Sequence, residues 1–155
     1  MKTSTKVILG IFGAVVAYTI TLHIYDYYIR KQQILTEAVE YSKIVEKPLL
    51  NVGSSCHCVG DVNLDVVNNA CCPNFVQGTI EDLSMFGDKQ FGAVFASHVL
   101  EHTEYPDKAI SEMERVADRV FLVLPSWFNS FAWITPEHKW IFWEHDDLSN
   151  RTRIR

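Results

Sequence analysis

The chain has 155 residues, 48% of them hydrophobic and 21% charged, with 7 glycines and 5 prolines. That is globular content for one domain, and it excludes disorder, collagen-like repeats and low complexity. A formal net charge of −5 argues against a protein that grips nucleic acid by neutralising phosphates, which would be basic.

Val7 to Tyr25, VILGIFGAVVAYTITLHIY, contains no Asp, Glu, Lys or Arg. At 1.5 Å per residue the run spans roughly 28 Å, close to the thickness of a bilayer core. Lys2 and Lys6 precede it, Arg30 and Lys31 follow, and Tyr25, Tyr27 and Tyr28 stand where an interfacial aromatic belt would be. These features predict a single-pass membrane anchor in residues 1–30. A cleaved signal peptide, with Val15 and Ala17 as the small-residue site, is the rival; the apolar run continues past Ala17 without a polar break. The flanking charges balance, so they do not orient the span. From Arg30 to Lys47, Ile34, Leu35, Ala38, Val39, Ser42 and Val45 recur at helical spacing. The spacing predicts a helical linker over 31–47 that either continues the anchor or packs on the domain.

Residues 48–125 read as an α/β domain. Short apolar strands are predicted at Leu49–Val52, Val62–Val67, Asn74–Gln77, Phe91–Ala96 and Val120–Leu124. Phe91–Ala96 is apolar on both faces, as a central strand should be. Pro106 fits the first turn of a helix whose apolar stripe is Ala109, Ile110, Met113, Val116 and Ala117, with Asp118-Arg119 closing it. Strands alternating with helical segments indicate an open parallel sheet. The four cysteines, Cys56, Cys58, Cys71 and Cys72, are expected to be reduced thiols, because they show neither a CxxC pair nor a secreted framework. A zinc site made from them is the minor alternative, and no other metal ligands are assigned.

Ligands of open parallel sheets bind beyond the carboxyl ends of the strands. That rule selects Gly53-Ser54-Ser55, Asp65, Gly78 to Asp82, Ser97-His98 and Pro125-Ser126-Trp127. Gly53 lets backbone approach a ligand closely, and Asp65 is placed to accept bonds from a ribose diol.

The string Leu50-Asn51-Val52-Gly53, the strand end at Asp65, Gly78-Thr79-Ile80-Glu81-Asp82-Leu83 and Ser97-His98-Val99-Leu100-Glu101-His102 resembles class I S-adenosylmethionine-dependent methyltransferases of the small-molecule type. The likeness covers about residues 48–125. It implies a truncated Rossmann-like fold, with S-adenosylmethionine as cofactor. It also implies cofactor contacts at Asn51, Gly53, Ser54, Asp65, Glu81, Asp82 and Ser97, and candidate bases at His98 and His102. For His102 a structural hydrogen bond is the preferred reading.

The chain departs from the family pattern. Asn51 replaces an acid, Ser55 and His57 stand where later glycines would fall, and Gly53 and Asp65 are only 12 positions apart. Thirty-one residues follow Leu124, too few for the two further strands the family usually has. In residues 126–155, Trp127, Phe128, Phe131, Trp133, Trp140, Phe142 and Trp143 suggest a lid, a membrane-facing surface or a protein interface over 127–143. No clean hairpin is visible there, although Trp140 to Trp143 could make a short strand, and the tail from Glu144 to Arg155 reads as exposed. Two functions are consistent with this reading. One is a membrane-anchored methyltransferase acting on a small or lipid-like acceptor; the other is a catalytically inactive methyltransferase-like scaffold in a membrane assembly. Reduced cysteines and a cytosolic cofactor would place the domain on the cytosolic side.

Overall fold

Every strand of the main sheet runs in the same direction. In the computed structural model, which describes residues 3–68, 71–144 and 147–155, five strands lie in the order β3-β2-β1-β4-β5. They are β1 (Leu49–Val52), β2 (Val62–Asp65), β3 (Phe75–Gln77), β4 (Phe91–Ser97) and β5 (Ala117–Val123). All four pairings are parallel, with Leu50 opposite Val62 and Val94, and Phe95 opposite Phe121. The α/β expectation therefore holds for the sheet.

Burial on both faces explains why these short runs form strands. One face, with Leu49, Ala93, Phe95, Phe121 and Val123, packs against Ala38 of α2 (Lys31–Ile44). The other, with Leu50, Val52, Leu64, Val94 and Ala96, packs against Ala109, Met113 and Val116 of α3 (Pro106–Val116). A π-helical stretch, Tyr25–Arg30, joins α2 to α1 (Thr3–Ile24), and α2 then covers the sheet.

Helix α1 is long and apolar enough to cross a bilayer, and Val7, Ile8, Leu9, Ile11, Phe12 and Val15 all lie exposed along it. Of the flanking residues invoked above, Lys2 and the side chain of Tyr27 lie outside the described residues.

Three expectations need correction. First, Asp118-Arg119 does not close the helix; α3 ends at Val116 and β5 begins at Ala117. β5 is an edge strand, so its polar residues can face outward. There Lys47 Nζ donates to Asp118 at 2.8 Å, and the Arg119 guanidinium lies 5.0 Å from the Tyr41 ring centre.

Second, the tail contains a strand. β6 (Trp140–Phe142) pairs antiparallel with β7 (Arg151–Arg153). Arg151 and Arg153 lie over the Trp140 ring at 5.4 and 5.6 Å, so cation–π contacts that an Arg-Thr-Arg string does not advertise accompany the backbone pairing.

Third, the cysteines are not thiols. Cys56 pairs with Cys71 and Cys58 with Cys72, leaving none free. β1 and β2 are adjacent and parallel, so the segments leaving their carboxyl ends run side by side, with Cα separations of 5.8 and 5.1 Å at the two bridges. The pairing also removes the four cysteines as zinc ligands, and the thiol argument for the cytosolic side falls with it.

Candidate functional site at the carboxyl ends of the strands

The turn after β1 begins at Gly53, whose φ of +66° lies in the left-handed region. A Cβ at this position would sit 2.2 Å from Val99 Cγ2, so Val99 rests directly on the bare glycine. Ser55 stands where a second glycine would fall and keeps a φ of 45°. Its N–H donates to Asp65 Oδ2 at 2.7 Å, while Val67 N–H donates to Asp65 Oδ1 at 3.0 Å. Both carboxylate oxygens are thereby aimed by backbone, and each retains acceptor capacity for a further donor.

His98 follows β4 with a φ of 55°, an uncommon backbone for a residue with a side chain. Its N–H donates to Val123 O at 2.9 Å, which fixes it between β4 and β5. Asp65 and His98 line one cavity of about 280 Å³, together with Gly53, Gly78, His102 and Glu137. A second cavity, about 180 Å³, is lined by His23, His98, Pro125, Phe131, Thr135 and His138. His98 borders both. A larger groove of about 490 Å³ lies by Ser42, Lys47 and Pro48, at the amino end of β1, far from these residues.

The remaining residues selected from sequence lie outside the first cavity. Asn51 is buried, and its Nδ2 donates to His57 O at 2.7 Å and to Asn63 Oδ1 at 3.1 Å. It holds the loop rather than facing a ligand. Ser54 is also buried, its N–H bonded to Leu64 O. Glu81 Oε1 accepts from the N–H groups of Glu104 and Tyr105 at 2.6 and 3.0 Å, so this carboxylate secures the entry to α3. Asp82 is exposed, and hydrogen bonds from Ser84 hold its carboxyl below the usual carboxylate range. Among the described residues, Ser97 Oγ is buried without a hydrogen-bond partner.

Sequence reasoning missed two residues here. Glu101 is fully buried, with His98 Nδ1 at 3.4 Å and His138 Nε2 at 3.9 Å from its Oε1. His138 arrives from the loop before β6, and burial holds its imidazole below the ordinary histidine range. The Glu101 backbone is itself pinned, since Lys139 N–H donates to its carbonyl at 2.7 Å. The string SHVLEH contained Glu101, but a glutamate entering a helix reads as solvated. His138 carried no motif at all.

Residues 51–119 match the family model described as a methyltransferase domain. Among solved structures, the YcgJ protein of Bacillus subtilis is 18% identical, with 56% of this chain and 46% of that chain covered and a TM-score of 0.43. An S-adenosylmethionine-dependent methyltransferase of Thermotoga maritima, described as a possible histamine N-methyltransferase, is 13% identical over 61% of this chain and 56% of that one, with a TM-score of 0.41. The alignments thus span about half the length of the solved structures. No curated protein matches the chain.

Proposed function

We propose that this chain, methyltransferase-like over residues 51–119, is a membrane-anchored S-adenosylmethionine-dependent methyltransferase whose acceptor is a small or lipid-like molecule. The observation that carries this reading is the single cavity bordered by Gly53, Asp65 and His98 at the carboxyl ends of β1, β2 and β4. The residues suit the cofactor. Gly53 makes the tight turn at the end of β1, and the Asp65 carboxylate, which lines the cavity and keeps acceptor capacity beyond its two backbone bonds, can accept a ribose diol. When bound, S-adenosylmethionine supplies an electrophilic sulfonium methyl group. The protein's part is to hold the acceptor in line with it. His98, on the wall between the two cavities, is positioned to take the acceptor's proton.

The second cavity supports the lipid-like acceptor. His23 closes the last turn of α1, and its ring lies 4.8 Å from that of Phe131 in α4 (Ser130–Ile134). Phe128, Phe131, Trp133 and Ile134 are exposed beside this contact. An apolar helix end, an aromatic patch and a cavity mouth therefore lie together, and we read residues 7–25 as the anchor that sets them at a bilayer surface. One observation favours the scaffold reading: Val99 occupies the space directly over Gly53.

Methyl-labelled S-adenosylmethionine incubated with the full chain in lipid vesicles separates the two readings. The enzyme reading expects label in the organic extract, reduced by about 100-fold in His98→Ala, which is the usual worth of a positioned base. Unlabelled extract across neutral and anionic vesicles would overturn the lipid-like acceptor, and no label on small molecules of an added soluble metabolite extract either would leave the scaffold.

A further inference from the structure

A buried carboxylate without a hydrogen bond is costly, and the cost is met by an opposite charge or a metal. Glu101 is such a group: it is 0% exposed, and among the described residues neither Oε1 nor Oε2 has a hydrogen-bond partner, the nearest imidazole nitrogens being His98 Nδ1 at 3.4 Å and His138 Nε2 at 3.9 Å from Oε1. Its surroundings are imidazoles. Donor atoms of Glu101, His102 and His138 all lie within 4.8 Å of one another.

The two histidines are held in one tautomer. His102 Nδ1 lies 3.1 Å from Glu137 O, and His138 Nδ1 lies 2.9 Å from Ala132 O. A carbonyl only accepts, so each Nδ1 carries a hydrogen, and in the neutral ring the lone pair is on Nε2. Orientation of a ring by a backbone carbonyl on its far nitrogen is the arrangement found behind metal-binding histidines.

We propose that Glu101, His102 and His138 form a binding site for one divalent transition-metal ion, with zinc as the best-suited occupant. Two imidazoles and one carboxylate are a zinc donor set that leaves a coordination position open. Donors of one tetrahedral zinc lie about 3.4 Å apart when each is about 2.0–2.2 Å from the ion. Donor atoms up to 4.8 Å apart would have to draw inward to hold the ion, a movement side-chain rotation supplies. His102 borders the first cavity and His138 the second, so an open position would be reached from these cavities. The site stands on these residues alone and does not rest on cofactor binding.

The test uses the full chain in detergent, stripped with chelator and kept under non-reducing conditions without S-adenosylmethionine. Titration with zinc is expected to show one tight equivalent, and Glu101→Gln and His138→Gln each to weaken it at least about 100-fold, the upper range for losing even an orienting partner. Circular dichroism confirms that each variant is folded, and His102→Gln replaces any that is not. Cobalt substitution adds a spectroscopic check, since a nitrogen–oxygen site gives ligand-field bands without thiolate charge transfer. Absence of stoichiometric zinc binding, binding indifferent to these substitutions, or a thiolate band in the cobalt spectrum overturns the proposal.

Discussion

Asn63→Leu is expected to destabilise the domain by about 3 kcal/mol or more, read as a shift in the midpoint of denaturant unfolding. Asn63 is completely buried in β2, on the sheet's path to the site. Its Oδ1 accepts from Asn51 Nδ2 and Gly60 N–H, both at 3.1 Å, and its Nδ2 donates to Gly60 O and Pro73 O at 2.9 and 3.2 Å. One amide thereby ties together the segments on either side of β2. Leucine makes none of these four bonds, each worth about 0.5–1.5 kcal/mol net, and its bulkier side chain overpacks the closed space around Asn63. Asn63→Asp keeps the acceptor but sets a carboxylate against two carbonyls, so it should be no milder. An unchanged midpoint for both variants would mean that the loops are held by something else.

Opening either disulfide is expected to cost about 3 kcal/mol, the chain-entropy value for a closed loop of about 15 residues. The two bridges span 15 and 14 residues of sequence and clamp the same pair of segments, so their contributions will not add. Cys56→Ser with Cys71→Ser, and Cys58→Ser with Cys72→Ser, measure them singly in thermal or denaturant melts. The consequence reaches the site, because Ser55, whose N–H aims Asp65, is next to Cys56. Reduced protein should therefore also lose affinity for ligands of the Asp65 cavity. Melting curves unaffected by reductant would contradict the role given to the bridges. Persistence of both bridges in the isolated protein, shown by peptide mapping, would point to maturation in an oxidising environment.

The sheet was legible because parallel strands are buried on both faces and so appear as short apolar runs. Phe91–Ala96 and Leu49–Val52 are the plainest examples. The rule that ligands bind at carboxyl strand ends likewise led to Asp65 and His98, which the fold brings to one cavity. What stayed hidden depends on long-range neighbours. Glu81 secures Glu104 and Tyr105, more than twenty residues on, a task no local pattern announces. Arg115 donates to Leu83 O and Phe86 O, and its bond to Glu112 holds that carboxyl below the ordinary range; in the sequence both look like a solvated helix face. The cysteine pairing required knowing that two connections lie side by side. β7 had no apolar alternation, since its partner Trp140 binds arginines rather than aliphatic groups. Glu101 was the largest omission, because its burial among histidines depends on His138, which comes from a segment more than thirty residues on.

Calorimetric titration of S-adenosylmethionine into the oxidised full chain in detergent tests the central claim most directly, with Asp65→Ala as the paired variant. The account predicts micromolar binding by the native chain and loss of that binding in a variant that still folds. No heat at millimolar cofactor, or equal affinity in the variant, would contradict a nucleoside cavity built on this carboxylate.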